Sequence, residues 1–457
     1  MKIIILGAGQ VGTSLAKNLL VDHDVSLIDN NSEKLRIIQN KFDVRTICGS
    51  GAHPHILEDA GAQDADMLIA VTSSDEINIV ACQMAYSLFK TPSKVARIRN
   101  KSYLRYPKIF DNDHIPIDII INPSELVTTR LLRIVQNPGS FQVLDFANSS
   151  MQMIGVNVSP LSLVAGISVA EFRGNLPEID ARIVTIIRKG IAIGFSAETI
   201  IKTNDDVFFV SHNEHVHAIL ALIRPKQRNI KRILIAGGGN IGTAFAQNLE
   251  KDYLVKLIES NYNQCHKTAE ILNDTVVLFG DAADAELLEA ENIDEIDLFC
   301  SVTNDDDANI MSAMLAKKMG AQSTMALVNS LSYASLIDDG STIDVALSPQ
   351  RTTIGVILTY LRKGDFVNIY AYNSGMCEAM EVVIHGDKEN SAVIGKSIKE
   401  LNLPNSVNIG AIVKDHMAHI AHGDTIIDKG DHLILAVSDL SYIRSLEKLF
   451  EVSPSFI

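Results

Sequence analysis

The sequence predicts an α/β protein: two doubly wound parallel-sheet domains, each followed by a small α+β subdomain, in tandem duplication. Three observations predict it. The second half of the 457-residue chain repeats the first. Six short apolar runs alternate with helical patterns in each half. A glycine-rich turn follows the first run of each half, and a carboxylate ends the second.

The repeat is read residue by residue. Gly7-Ala8-Gly9-Gln10-Val11-Gly12 recurs as Gly237-Gly238-Gly239-Asn240-Ile241-Gly242, and Asp29 recurs as Glu259. Gly49-Ser50-Gly51 recurs as Gly280-Asp281-Ala282, and residues 66–78 (DMLIAVTSSDEIN) recur as 297–309 (DLFCSVTNDDDAN). The offset stays at 230 or 231 residues. Further on, Gly166-Ile167-Ser168-Val169 matches Gly395-Lys396-Ser397-Ile398, and Asn175-Leu176-Pro177 matches Asn402-Leu403-Pro404. Two copies are too few for a solenoid and indicate a duplicated two-domain module.

The apolar runs of the first copy are 2–6, 25–28, 44–47, 67–71, 95–98 and 117–121. Those of the second are 232–236, 255–258, 276–279, 298–302, 324–328 and 342–346. Short apolar strands alternating with helices require crossovers, hence a parallel sheet covered on both faces. Six of them predict a doubly wound sheet. Asn122-Pro123 and Ser348-Pro349 then open a helix with Pro in its first turn. These helices end near Pro138-Gly139 and Lys363-Gly364. Strand-rich segments follow, with strands at 182–188, 207–210, 409–413 and 432–437. The predicted division is a parallel-sheet domain at 1–122, a crossover helix at 123–140 and an α+β subdomain at 141–225. After the linker 224–229 (RPKQRN), the same three parts recur at 230–348, 349–366 and 367–457.

The glycine turns carry chemistry. Each follows a strand, opens an amphipathic helix and has an acid 22 residues after its first glycine. Gly7 permits the tight turn, Gly9 lets backbone approach a pyrophosphate, and Gly12 lets helix and strand pack closely. The helix N-terminus offers free N–H groups and a positive dipole end to an anion. Asp29 can accept bonds from both ribose hydroxyls. Asn30-Asn31-Ser32 follows it, with no arginine to receive a 2′-phosphate, which favours NAD(H) or adenosine nucleotides over NADP(H).

The other strand ends lie on the same carboxyl edge, so Gly49, Thr72 and Ser73 are expected at the site. Arg97 and Arg99 are assigned to the fifth strand, where alternation puts them on one side, with at most one reaching a ligand. Ala326 and Val328 are taken as their counterparts. The second copy repeats the loop as Gly237, Gly239, Asn240, Ile241 and Gly242, the acid as Glu259 and the strand end as Thr303. It places Asp281 where the first has Ser50. An added acid and a missing arginine predict two unequal sites.

Composition narrows the function. The chain is 47% apolar and 21% charged, with net charge −15. The charge is carried by residues 230–457, with 17 Lys+Arg against 32 Asp+Glu. That balance repels nucleic acid phosphates. The basic stretch 90–108 reads as a solvated face. The longest uncharged stretch, 146–170, holds too many polar residues to span a membrane. Five cysteines without a CxxC pair fit buried thiols in a reducing compartment. Gly395-Lys396-Ser397 reads as a helix start, since the glycine of a P-loop is absent upstream. The histidines at 212, 215 and 217 open a surface helix, and those at 416, 419 and 422 fall in a hairpin. Asp305-Asp306-Asp307 reads as helix capping. No metal site and no catalytic set is predicted.

With those residues assigned, the chain resembles tandem regulator-of-potassium-conductance (RCK) modules, also called KTN domains. The resemblance spans the whole chain and is most specific at MKIIILGAGQVG (1–12), ADMLIAVTSSDE (65–76), ARIRN (96–100), GGGNIG (237–242), TNDDDANIMSAMLAKKMGA (303–321) and GDHLILAV (430–437). It implies a non-enzymatic cytosolic subunit, peripheral on the inner face of the membrane. Four chains would form a ring of eight modules beneath a potassium-translocating protein of the TrkH or TrkG type. It implies that Gly7, Ala8, Gly9, Gln10, Val11, Asp29, Thr72, Ser73 and Arg97 bind NAD or NADH. Some relatives that take ATP or ADP carry arginine after the second glycine of the loop. Gln10 stands there in this chain, which leans toward NAD(H) at the first site, with ATP or ADP as alternatives at either. The rival reading is an NAD-dependent soluble dehydrogenase. Against it, the second half repeats the first instead of supplying a substrate domain with a catalytic His, Lys or Arg. A third reading is a nucleotide-sensing scaffold without a transporter.

Overall fold

The computed structural model describes residues 1–457 except 175–178, 331–332, 334–342, 362–365, 373–374, 416 and 453–457. The Asn175-Leu176-Pro177 repeat, the Lys363-Gly364 helix end, the start of the 342–346 run and His416 therefore lie wholly or partly outside the described residues. The chain forms two compact units, Met1–Leu126 with Pro349–Ile357, and Val127–Ser348 with Leu358–Ile457.

The first unit is built on six parallel strands: β1 (Lys2–Leu6), β2 (Asp24–Asp29), β3 (Arg45–Cys48), β4 (Met67–Ala70), β5 (Ser93–Arg97) and β6 (Ile119–Ile121). Their order, β3-β2-β1-β4-β5-β6, is that of a doubly wound sheet with its crevice between β1 and β4. Ile3, Ile4, Ile5 and Leu6 are all buried, as a strand covered on both faces requires. The helix Gln10–Leu19 after β1 buries Gly12, Leu15, Ala16 and Leu19, one stripe at helical spacing. The unit also takes in most of the second crossover helix, Pro349–Leu361, which buries Gln350, Thr352, Thr353, Ile354 and Ile357.

The second unit starts inside the first crossover helix, Pro123–Gln136. It holds an antiparallel sheet of β7 (Ser140–Phe146), β8 (Met151–Asn157), β9 (Ala181–Arg188), β10 (Ile191–Ile193) and β11 (Asp206–His212), ordered β10-β9-β11-β8-β7. Next comes a second parallel sheet of β12 (Arg232–Ala236), β13 (Leu254–Glu259), β14 (Val276–Phe279), β15 (Leu298–Ser301), β16 (Ser323–Leu327) and β17 (Val345–Leu347), ordered β14-β13-β12-β15-β16-β17. The last sheet has β18 (Phe366–Tyr372), β19 (Cys377–Val383), β20 (Val407–Lys414), β21 (Met417–Ile420) and β22 (His432–Val437), ordered β18-β19-β22-β20-β21. The two antiparallel sheets have one topology. Val127, Leu131, Ile134 and Val135 of the crossover helix share a core with Ile154 and Phe209 and with Ile233, Ile235 and Phe245. The antiparallel sheets share another, in which Phe146 meets Tyr370 edge-on at 5.3 Å and Phe208 meets Tyr372 at 4.6 Å.

Two details differ from the sequence reading. Arg99 lies beyond the end of β5 rather than in it. Cys48 is exposed, while the other four thiols are buried and all five are free. The uncharged stretch forms most of the β7–β8 hairpin, whose turn holds Ala147, Asn148 and Ser149 at positive φ. The helix after His212, Val216–Ile223, lies on the surface as expected, burying Val216, Ile219, Leu220 and Ile223 on one face and exposing His217, Ala218 and Ala221 on the other.

Candidate functional site

The carboxyl edge of the first parallel sheet brings together the glycine loop, Asp29, Gly49, Thr72-Ser73 and Arg97. The three glycines of the loop have different causes. Gly7 has φ +109°, in the left-handed region, and an added Cβ would press on the Thr72 backbone at 3.1 Å. A Cβ on Gly12 would lie 1.8 Å from the Gly7 carbonyl oxygen. Both are demanded by the protein itself. Gly9 is not: its φ of −76° suits any residue, and a Cβ there would meet nothing within 4 Å. It is also the N-cap of the helix, and no side chain caps that N-terminus. The unfilled space therefore lies directly over uncapped helix N–H groups. Gly237, Gly242 and Gly239 repeat the three cases: φ +110°, a Cβ 1.9 Å from the Gly237 oxygen, and nothing within 4 Å.

The acids shape the loops. Asp29 accepts from Ala8 N at 2.7 Å through one oxygen and from Asn31 N at 2.8 Å through the other. Glu259 does the same with Gly238 N and Asn261 N, both at 2.7 Å. Each carboxylate pins its glycine loop to the next helix start, and each oxygen keeps a further lone pair for a hydroxyl donor.

On the other side of the loop a buried carboxamide organises the strand ends. Asn78 accepts from Thr72 N at 3.0 Å and from Thr72 Oγ1 at 2.7 Å, and donates to the Arg97 carbonyl at 2.8 Å. Arg97 in turn donates to the Thr72 carbonyl. Its Nε is buried with no hydrogen-bond partner. Burial, and then the nearby Arg99 guanidinium, lower the Arg97 pKa to about 10, so it stays charged at neutral pH. Arg99 donates to the Ser73 carbonyl and stands 3.7 Å from Asp75. Asp75 also accepts from Arg99 N and Asn100 N.

The second edge repeats this frame. Asn309 accepts from Thr303 N and Oγ1 and donates to the Leu327 carbonyl. Asp306 accepts from Asn329 N and Ser330 N. These matching bonds correct the pairing of the copies. The counterparts of Arg97 and Arg99 are Leu327 and Asn329, not Ala326 and Val328, because the offset here is 230 residues. The second edge still lacks the cation. Its loop is also held differently: the Gly238 carbonyl accepts from Thr243 Oγ1, Gln264 Nε2 and Thr268 Oγ1 at 2.9, 2.7 and 3.0 Å. Lys34 and Ile38 stand at the last two positions in the first copy. Asp281 is exposed and accepts from Ala283 N.

Sequence reading missed Asn78, Asn309, Gln264 and Thr268. The first two close the quoted 66–78 and 297–309 repeat, so the signal for them was present. The discounted signals resolve simply. Ser397 and Glu400 form a capping box, as do Ser168 and Glu171 in the first copy. Asp305 caps the helix Asp306–Lys318. Among the described residues no cluster of three or more His, Cys, Asp or Glu could hold a metal ion.

Comparison with known proteins follows this geometry. The TrkA-N domain model matches residues 3–123 and again 233–349, and the TrkA-C domain model matches 383–450. The chain is 45% identical to the Trk system potassium uptake protein TrkA of Vibrio alginolyticus over the full length of both. Among solved structures it is similar to the GsuK RCK domain, with TM-score 0.61 and 19% identity over 98% of this chain and 94% of that one. It is also similar to the GsuK channel bound to NAD, with TM-score 0.59 and 18% identity over 98% and 78%.

Proposed function

Since the chain belongs to the TrkA family, we propose that it is the nucleotide-sensing regulatory subunit of a Trk-type potassium uptake system. It is a regulator and not an enzyme, and no dehydrogenase reading is supported by its relatives. Among the described residues no helix is long and apolar enough to cross a membrane. The translocating partner is a membrane protein of the TrkH or TrkG type. Four chains assemble as a ring against its inner face, each contributing two modules divided as the sequence reading has them.

The observation that carries the ligand reading is the space over Gly9 and Gly239. Neither backbone angle nor packing asks for glycine there, and the uncapped helix N-termini suit an anion. The first site fits NAD(H). Gly7, Ala8, Gly9, Gln10, Val11 and Gly12 would cradle the pyrophosphate, and Asp29 would take the ribose hydroxyls. Gly49, Thr72, Ser73 and Arg97 would close the edge, with Arg97 supplying a positive charge beside the ligand. At the second site Gly237, Gly239, Asn240, Ile241, Gly242, Glu259, Asp281 and Thr303 take the same roles, with an adenine nucleotide as ligand. Binding does work on the ring only through unequal affinity for its two states. About 5.5 kcal/mol converts a 1:99 population to 99:1, and several sites can share it.

Calorimetric titration of the full chain with NADH, NADP(H), ATP and ADP tests this. Gly9→Asp and Gly239→Asp each add a Cβ that meets nothing within 4 Å and set a carboxylate over the helix N-terminus, where it occupies the anion's place. Each should abolish one class of site, and Gly9→Asp should abolish NADH control of potassium flux in vesicles containing the membrane partner. Unchanged binding in both variants, or tightest binding of NADP(H), would overturn the reading.

A further inference from the structure

The second site carries an aromatic cluster that the first lacks. Three strand ends follow one another along its sheet: β12 with the glycine loop, β13 with Glu259, and β14 with Phe279. Glu259 and Phe279 are register partners on neighbouring parallel strands. Their side chains therefore leave the same face of the sheet, about 4.8 Å apart along the hydrogen-bonding direction. Glu259 reaches back to the glycine loop, so Phe279 lies on its far side. The order loop, acid, Phe279 is the order phosphate, ribose, base in a nucleoside phosphate.

Phe279 is 59% exposed and Tyr262, in the first turn of the helix Tyr262–Ile271, is 61% exposed. Their rings meet at 83° with centroids 5.6 Å apart, and His266 packs on Tyr262 at 4.5 Å and 72°. Large exposed aromatics gathered at one edge mark a binding surface more than a folding need. The corresponding residues of the first copy are Cys48, Ser32 and Arg36, none aromatic. The Asp29–Cys48 register there is the same as that of Glu259 with Phe279. At the opposite end of the second site the charged Arg97 is replaced by buried Leu327.

We propose that the second site takes an adenosine mononucleotide, its base stacked on Phe279 and Tyr262, in preference to a dinucleotide. This deepens, and rests on, the reading that the second glycine loop holds a nucleoside phosphate. The adenosine half gains a stacking surface while the distal half loses its cation, so recognition moves to the base. Asp281, exposed two residues beyond Phe279, is a hydrogen-bond acceptor. In the proposed placement it would accept from the amino group that adenine carries at C6, where guanine presents a carbonyl.

The test uses the full chain carrying Gly9→Asp, so that only the second site is read. ADP, GDP and NAD are titrated calorimetrically. ADP should bind, with GDP and NAD at least about ten-fold weaker. Phe279→Ala and Tyr262→Ala should each weaken ADP about ten-fold, in line with the usual value of a stacked base. Both side chains are exposed, so circular dichroism should show the fold retained. No nucleotide binding by the Gly9→Asp chain would defeat the underlying reading. ADP binding that survives added Gly239→Asp would defeat it too. ADP binding lost with Gly239→Asp but unchanged by both aromatic substitutions would overturn the stacking proposal alone, as would NAD binding as tight as ADP.

Discussion

The side-chain amide of Gln350 donates to the backbone carbonyl of Gln10 at 2.8 Å and to the Ser14 hydroxyl at 2.7 Å, joining residues 340 and 336 positions apart. Gln350 is buried, and it comes from the crossover helix of the second copy. Gln10 and Ser14 lie on the helix that opens at the first glycine loop. The first loop is therefore buttressed by the second half of the chain. Gln350→Leu keeps the volume and removes both bonds, leaving a carbonyl and a hydroxyl poorly matched. The expected cost is about 1–3 kcal/mol, read as a lower urea midpoint with an unchanged slope.

The two kinds of glycine should separate stability from binding. Gly12→Ala drives a methyl group into the Gly7 carbonyl, a backbone collision that no rotamer relieves. It should destabilise by about 3 kcal/mol or more. Gly9→Ala should leave stability within about 1 kcal/mol, since its φ of −76° is open to alanine. The same change should weaken nucleotide binding ten-fold or more. Thermal unfolding and calorimetry on both variants check the contrast.

Glu250 gives the second nucleotide fold an acid-sensitive brace. One of its oxygens accepts from Asn273 N, Asp274 N, Thr275 N and Thr275 Oγ1. Burial alone would raise its pKa, but these donors outweigh it and hold the group below its ordinary 4.5. A folded pKa below the unfolded one contributes stability that is present above pH 4.5. That stability is lost as pH falls through the depressed value. Glu250→Gln should therefore lower stability at pH 7 and flatten its decline below pH 4.5, measured by circular dichroism across an acid series.

Thiol chemistry should single out Cys48. It is exposed, while burial pushes the Cys82 pKa up to about 12 and raises those of Cys265 and Cys300. A thiolate reacts and a buried thiol does not. One equivalent of an aromatic disulfide reagent should be consumed rapidly by the native chain and five by the unfolded one. Cys48→Ser should remove the fast phase. Bound nucleotide should slow it, because Cys48 is the register partner of Asp29.

Local and repeated signals were the legible ones. The strand order follows from six apolar runs separated by helices, and the loop–acid pairs follow from spacing and recurrence. Arg99 was misplaced because alternation says nothing about where a strand stops; its N–H is taken by Asp75 just past the end of β5. Asn78 and Asn309 were visible in the repeat, yet a carboxamide on an apolar helix announces no particular partner. Gln350 had no local signal at all, since its partners are set by tertiary packing. The β7–β8 hairpin was hidden because its turn uses Ala147, Asn148 and Ser149 rather than glycine or proline.

The hydroxyls of Thr185 and Tyr372 meet at 2.7 Å in the core between the two antiparallel sheets. By strand register, Thr185 corresponds to Ala411 and Tyr372 to Phe146. The mirror-image pair is thus alanine and phenylalanine, which cannot form the bond. Two identical chains meeting about a twofold axis would have to make any off-axis contact twice, in the same residues. Joining the copies in one polypeptide removes that obligation. A polar contact can then be written on one side of the seam and a hydrocarbon contact on the other, giving the pair of sheets a fixed front and back.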